Sequence, residues 1–478
     1  MKSTQPDVRS RPPEAVGELL VAGGDERLTL DSNGRNKYHL DPLTSRGLFH
    51  RGSCTCSPLT EEGQRTVDTV LVQLRNGTVT SADLAERQRD RLLELFVPDS
   101  LDGTGVIFAP SGSDLCYLPL MFSSLLYPGQ RIVNVVATSE ELGSGSLLAH
   151  DGRYYAVQSQ LHDDLPIGER VSGDLDVECV LLPARDERGA IFDHVGVIER
   201  LIAQRRDGEV LIVNLVIGSK SGIENGVRII ERFDSEDIMW TVDLCQMRAR
   251  PALFERLLEL GCLLLCTGSK FYEAPPFCGA MLAPPVWIDQ LAKASTDTAS
   301  ITAFDTLFSS MDFPQRLSQM GRAFSDFDNV GLRLRWEAAL QEMEAFDAVA
   351  KPDTAEVIAQ WSACVVERIG QSHILDLLRD DARTNDSIVS FKVRDGHGGH
   401  LDQAGLGELR RVLAVDGVPE LAAFERALIG QPVAYPSGAF LRVALGSSDV
   451  RCSAASGFDP ADDLALIDAL ERVAEELR

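Results

Sequence analysis

The sequence predicts an α/β fold: a large domain on a mostly parallel, mixed sheet, then a smaller α+β C-terminal domain. Three observations predict it. Short, near-continuous apolar runs alternate with helical patterns between Gly105 and Thr267, as expected of parallel strands covered on both faces. Several of those runs break into glycine-, serine- or threonine-rich turns. After about Ser300 the pattern changes to long helices and isolated strands.

Taken in order, residues up to about Thr60 read as an irregular arm, because DSNGRNKYHLDPLTSRG is rich in turn formers. Thr60 reads as an N-cap with Glu61 and Glu62 in the first turn; Val67, Val70, Leu71 and Leu74 follow at helical spacing, and Asn76-Gly77 is the stop. Ser81 reads as the cap of a second helix carrying Leu84, Leu92, Leu93, Leu95 and Phe96. The sheet begins with VIFAP (106–110), and a helix follows through Leu125. Strands are expected at 132–138, 177–183, 209–218 and 238–243, with helices at 194–206 and 224–233 between them. A helix from Pro251 leads to the strand CLLLCT, 262–267. Beyond, helices are expected at 331–349 and 353–370, a strand at 387–394, a helix near 406–413 and a strand at 439–446. An amphipathic helix closes the chain with Leu464, Leu466, Ile467, Leu470 and Val473. The expected divisions are an arm over 1–60, a large domain over 61–310 and a small domain over 311–478.

Composition excludes some functions. The 478 residues carry a formal net charge of −26, so nucleic acid and anionic membranes are not expected partners. No apolar run reaches the length of a membrane span, and the polar, proline-rich start reads as no secretory signal. The ten cysteines include Cys179, Cys262 and Cys266 inside apolar runs. That usage fits reduced thiols of a cytoplasmic enzyme better than a disulfide framework. Cys54 and Cys56 have no second pair at metal-site spacing, and His397 and His400 lie in a glycine-rich turn, so no metal is expected.

The stretch from Trp240 to Ala280 carries the chemistry. Asp243 ends one apolar run and Lys270 follows the next, 27 positions on. In an open α/β sheet this spacing puts both at the carboxyl edge, where ligands bind. Pyridoxal phosphate chemistry needs such a pair: a lysine amine for the cofactor aldehyde, and a carboxylate to keep the pyridine nitrogen protonated. The alternative is an acid and an exposed lysine unrelated in space. Ser111-Gly112-Ser113 follows a strand and opens a helix, so its amides and hydroxyls can cradle a phosphate or simply form a capping turn. Ser219, in the turn after the 209–218 strand, can meet the ring or its 3′-oxygen, or belong to an ordinary turn. Gln246 can return toward the ring oxygen, and Thr267 and Ser269 flank the lysine as phosphate donors. Arg442 stands among apolar strand neighbours and needs an anion. A substrate carboxylate and a structural acid both satisfy it.

Together these residues resemble the fold type I pyridoxal-phosphate enzymes, most closely the aminotransferase class V and cysteine desulfurase branch, over roughly residues 60–478. The resemblance implies that Lys270 bonds to the cofactor and Asp243 pairs with its ring nitrogen. Gln246 would approach the ring oxygen; Ser111, Gly112, Ser113, Thr267 and Ser269 would hold the phosphate; Arg442 would hold the substrate α-carboxylate. It also implies a homodimer. One departure stands at Glu140-Glu141, where the branch often places a ring-stacking histidine; Glu141 is expected against the cofactor or substrate. Arg35 and Tyr38 of the arm are expected to shape the substrate pocket. Cys452 directly follows the arginine strand, a poor position for a desulfurase nucleophile. The implied function is an enzyme that forms an external aldimine with an amino acid, an aminotransferase-like transferase of specialised metabolism. Alternatives are β- or γ-replacement, annulation with S-adenosylmethionine, decarboxylation, or a silent pyridoxal-phosphate-binding regulator.

Overall fold

A computed structural model describes residues 16–52, 57–143, 145–233, 238–378 and 386–478. The Cys54–Cys56 pair lies outside them. The apolar runs become strands β2 (Gly105–Ala109), β3 (Arg131–Val136), β4 (Val177–Leu181), β5 (Glu209–Val216), β6 (Ile238–Asp243), β7 (Leu263–Thr267) and β8 (Gly279–Ala283), after β1 (Leu48–Arg51) in the arm. They pair in the order β2-β8-β7-β6-β5-β3-β4. Every pairing is parallel except the two made by β8. Both faces are covered because alternate side chains enter two different cores. From β6, Trp240 and Val242 pack with Phe96, Phe254 and Trp336. Met239 packs on the other face with Phe122, Trp287 and Phe304. Each such buried side chain contributes about 1.5–3 kcal/mol.

β8 is absent from the sequence expectation. It is a five-residue antiparallel return strand, and the prolines ahead of it disguise it as a loop. The helix expected at 224–233 shrinks to a 3-10 turn, Val227–Arg232. Its start is consumed elsewhere: the Asn225 side chain accepts from the Val216 amide at 2.8 Å, and Glu224 bridges to Ile217. Helix Glu61–Arg75 starts at Thr60 as expected, with Gly63 N donating to Thr60 Oγ1 at 3.0 Å. The next cap is Thr80, not Ser81, because Thr80 Oγ1 reaches the Asp83 amide at 3.1 Å.

The second sheet comprises β9 (Leu375–Leu377), β10 (Ile388–Val393), β12 (Val433–Tyr435) and β13 (Gly438–Ala444), antiparallel in the order β12-β13-β10-β9. Helices Lys351–Gly370, Gln403–Val415 and Ala461–Glu476 share its core through Trp361, Leu409 and Leu470. Helix Val330–Asp347 sends Trp336 and Leu340 into the large-sheet core.

The first 60 residues are not all irregular. Helix Val16–Leu20 packs on helix Val330–Asp347. β1 pairs in parallel with β11 (Arg426–Ile429). An ion-pair knot fastens that junction. Arg51 Nε donates to Asp463 Oδ1 at 2.8 Å, Arg51 Nη1 donates to Asp449 Oδ2 at 2.6 Å, and Trp361 Nε1 donates to Asp463 Oδ1 at 2.9 Å. Arg51→Met strands the buried Asp463 carboxylate and is expected to cost about 3–5 kcal/mol. A urea midpoint matching that of the parent would show that the knot adds nothing to stability.

Candidate functional site

The parallel strands deliver polar residues to one edge. β6 ends at Asp243, and β7 ends at Thr267 ahead of Gly268, Ser269 and Lys270. Asp243 and Lys270 both line a cavity of about 490 Å³. The Asp243 carboxylate is held by the Cys245 amide, which donates to Oδ1 at 2.8 Å, and Thr267 Oγ1 donates to the Cys245 carbonyl at 2.8 Å. The Cys245 thiol feels both ends of the pair: burial pushes it well up, Asp243 adds to the rise and Lys270 opposes it. The lysine turn is pressed against helix Val330–Asp347; a Cβ at Gly268 would stand 2.4 Å from that of Ala339.

Ser111, Gly112 and Ser113 line the same cavity. The Ser111 amide and hydroxyl donate to Asp114 Oδ2 at 2.9 and 2.7 Å, and the Ser113 amide donates to Ser111 Oγ at 3.2 Å. Burial, reinforced by Asp25, pushes the Asp114 carboxyl up to about 6 against the pull of Ser111, Tyr155 and Arg27. A Cβ on Gly112 would come within 3.1 Å of Thr267 Cγ2 and 3.2 Å of Cys245 Sγ. The loop is thus a small, hydroxyl-lined cradle, with Ser113 Oγ 3.3 Å from Ser146 Oγ. Gln246 and Ser269 complete this wall. The donor set fits a phosphorylated pyridine: hydroxyls at one end, a carboxylate below, and an amine beside it.

Tyr38 also reaches the cavity. Its turn is set by Asn36 Oδ1, which accepts from the Tyr38 amide at 2.9 Å. The small sheet supplies the facing wall through Gln431, Pro432, Val433 and Ala434.

Four expected residues lie elsewhere. Glu141 is buried off the cavity because both carboxylate oxygens are engaged. Ser219 Oγ and the Ser221 amide donate to Oε2, each at 2.6 Å; Ser221 Oγ donates to Oε1 at 2.7 Å, and Tyr435 Oη donates to the same oxygen. Ser219 belongs to that knot. Burial and Glu141 together raise the Tyr435 phenol. Arg442 is fully buried. It sits one layer behind the wall, with Nη1 donating to the Gln431 carbonyl at 2.8 Å. Arg35 is half-buried in a turn closed by Asp31 and does not line the cavity.

The sequence reading missed Arg27, Lys220 and Phe277, all on the cavity wall. Lys220 lies inside the turn already singled out, and Phe277 directly after the paired prolines. Arg27 carries no local signal, since its contacts beyond the arm come from Ser111, Tyr155 and Phe277.

No family model matches the chain, and no curated protein matches it significantly. Solved structures do match. A NifS-like protein from Rickettsia africae aligns with TM-score 0.56 and 9% identity, covering 89% of this chain and 99% of its own. A phosphoserine aminotransferase from Cytophaga hutchinsonii aligns with TM-score 0.54 and 12% identity, covering 90% and 99%. The cysteine desulfurase CsdA from Escherichia coli aligns with TM-score 0.54 and 12% identity, covering 91% and 96%. The chain therefore has the fold of the class V aminotransferases and cysteine desulfurases, the fold type I architecture.

Proposed function

We propose that this protein is a pyridoxal 5′-phosphate-dependent enzyme acting on an amino acid, a transferase of the aminotransferase kind that works as a homodimer in the cytoplasm. The observation that carries the reading is the opening of Asp243 and Lys270, from neighbouring strands, into one cavity with the Ser111–Ser113 cradle. When bound, pyridoxal phosphate supplies an electron-withdrawing ring that lets a bond at the substrate α-carbon break.

The chain's own groups do the rest. Lys270 would hold the cofactor through its amine, and the same amine would move a proton at the substrate α-carbon. Asp243, fixed by the Cys245 amide, holds a proton on the ring nitrogen. A charge-assisted bond of that kind contributes about 1.5–3 kcal/mol. Ser113, Ser269, Thr267 and the Gly112 amide would hold the phosphate, and Gln246 would approach the ring oxygen; all of them line the cavity. The wall 431–434 covers the cavity from the small sheet and limits water.

The cysteines favour amino-group transfer over sulfur transfer. Among the described residues Cys245 alone reaches the wall, and burial holds it in the thiol form. Cys452 is exposed on helix Ser447–Ser456. A reducing compartment is supported by the eight free cysteines of the described residues. No helix of the described residues is long and apolar enough to cross a membrane.

Lys270→Ala is expected to abolish covalent cofactor attachment while leaving the fold intact; borohydride reduction followed by peptide mass mapping checks it, and a link surviving elsewhere overturns the assignment. Asp243→Asn is expected to retain the cofactor but lose about 10²–10³ in kcat. Turnover with an amino-acid panel and a keto-acid acceptor measures this, and wild-type rates would remove Asp243 from the role. Light scattering is expected to return twice the chain mass.

A further inference from the structure

We propose that Arg27 is the anion anchor of the cavity, its Nη1 taking a carboxylate or phosphate oxygen of the bound ligand. The inference rests on the reading of the site as a pyridoxal-phosphate and amino-acid site. Arg27 is the one arginine on the wall among the described residues, and it is 6% exposed. Its guanidinium is held on three sides. Nε and Nη2 donate to Asp25 at 2.8 and 2.5 Å, and Nη2 also donates to Ser111 Oγ and Tyr155 Oη, each at 3.3 Å. The rings of Tyr155 and Phe277 lie 5.1 and 4.5 Å from Cζ. These bonds leave Nη1 with no hydrogen bond among the described residues.

A pre-oriented guanidinium with one free edge suits a single charge-assisted bond to an oxyanion. Two other arginines near the site do not line the wall. Arg442 serves the Gln431 carbonyl, and Arg248 donates to Ser387 Oγ and the Leu445 carbonyl at 2.7 and 2.8 Å. The neighbouring acids do not forbid an anion. Asp25 is paired with Arg27, and the Asp114 carboxyl, already raised toward 6, accepts a proton more readily as negative charge approaches. The phosphate end is favoured by the Ser111 contact, the substrate end by the displacement of Arg442 from the wall. One chemistry serves both.

The test titrates reconstituted protein with pyridoxal phosphate, and the holoenzyme with an amino-acid panel, following absorbance. R27Q is expected to weaken one constant by about 10- to 100-fold. Loss confined to pyridoxal phosphate names the phosphate as the source. Loss confined to the amino acid names the carboxylate. R27K should recover part of the loss, and it replaces R27Q in the comparison if that variant does not fold. D25N separates an anchor from a mere seat for the arm: freed from its partner, an anchoring guanidinium binds anions at least as well. Unchanged constants in R27Q overturn the proposal, as does equal loss in D25N and R27Q accompanied by lower melting temperatures. If the parent protein takes up no pyridoxal phosphate, the functional reading fails instead. Inorganic phosphate and acetate then become the probes, and R27Q must lose whatever binding the parent shows for Arg27 to remain the anchor.

Discussion

A buried guanidinium with no carboxylate partner among the described residues sets the geometry of this protein. Arg335 Nε donates to the Phe277 carbonyl at 2.6 Å, and Nη1 donates to the Leu20 and Ala22 carbonyls at 3.0 and 2.8 Å. Burial pushes it down to about 10, with Arg333 adding to the fall. A cation in that position is tolerated only if backbone carbonyls surround it. Those carbonyls belong to the arm and to the turn entering β8, so one side chain of helix Val330–Asp347 registers both against the lysine turn. Tyr38 and Phe277 owe their places on the cavity wall to that registration.

The residues first expected at the ligand and found behind it have a shared character. Glu141 and Arg442 are charged, buried and hydrogen-bonded to fixed polar neighbours. Glu141 joins the turns after β3 and β5 to Tyr435 of the small sheet. Arg442 steadies the backbone at Gln431. Each shapes a wall from the layer beneath. An ion in such a position is satisfied by fixed groups, and no ligand is needed to neutralise it.

This explains what could be read from the sequence. Strands β2, β3, β5, β6 and β7 were legible because burial on both faces demands unbroken apolar runs. The Asp243–Lys270 pair was legible because one strand–helix–strand unit fixes its spacing. β8 was hidden by the prolines ahead of it, and β9, β11 and β12 are too short to signal themselves. Residue type identified Glu141 and Arg442 as candidates for chemistry, but only tertiary packing decides which face of a turn a charge takes. Arg27 was illegible because its hydrogen-bond partners outside the arm lie 84 and 128 positions away.

The arm has a consequence for how the chain is made. Arg51 and its partner Asp463 are 412 positions apart. During synthesis at about 5–20 residues per second, roughly 20–80 s pass between the appearance of one and of the other. For most of that interval β1 lacks β11, and Phe49 lacks the complete core it enters. The large sheet can close first, since its strands arrive in one block. The cavity is roofed last, when 431–434 leaves the ribosome, so the growing chain exposes an acid, an amine and an unpaired strand edge to the cell until it is nearly complete.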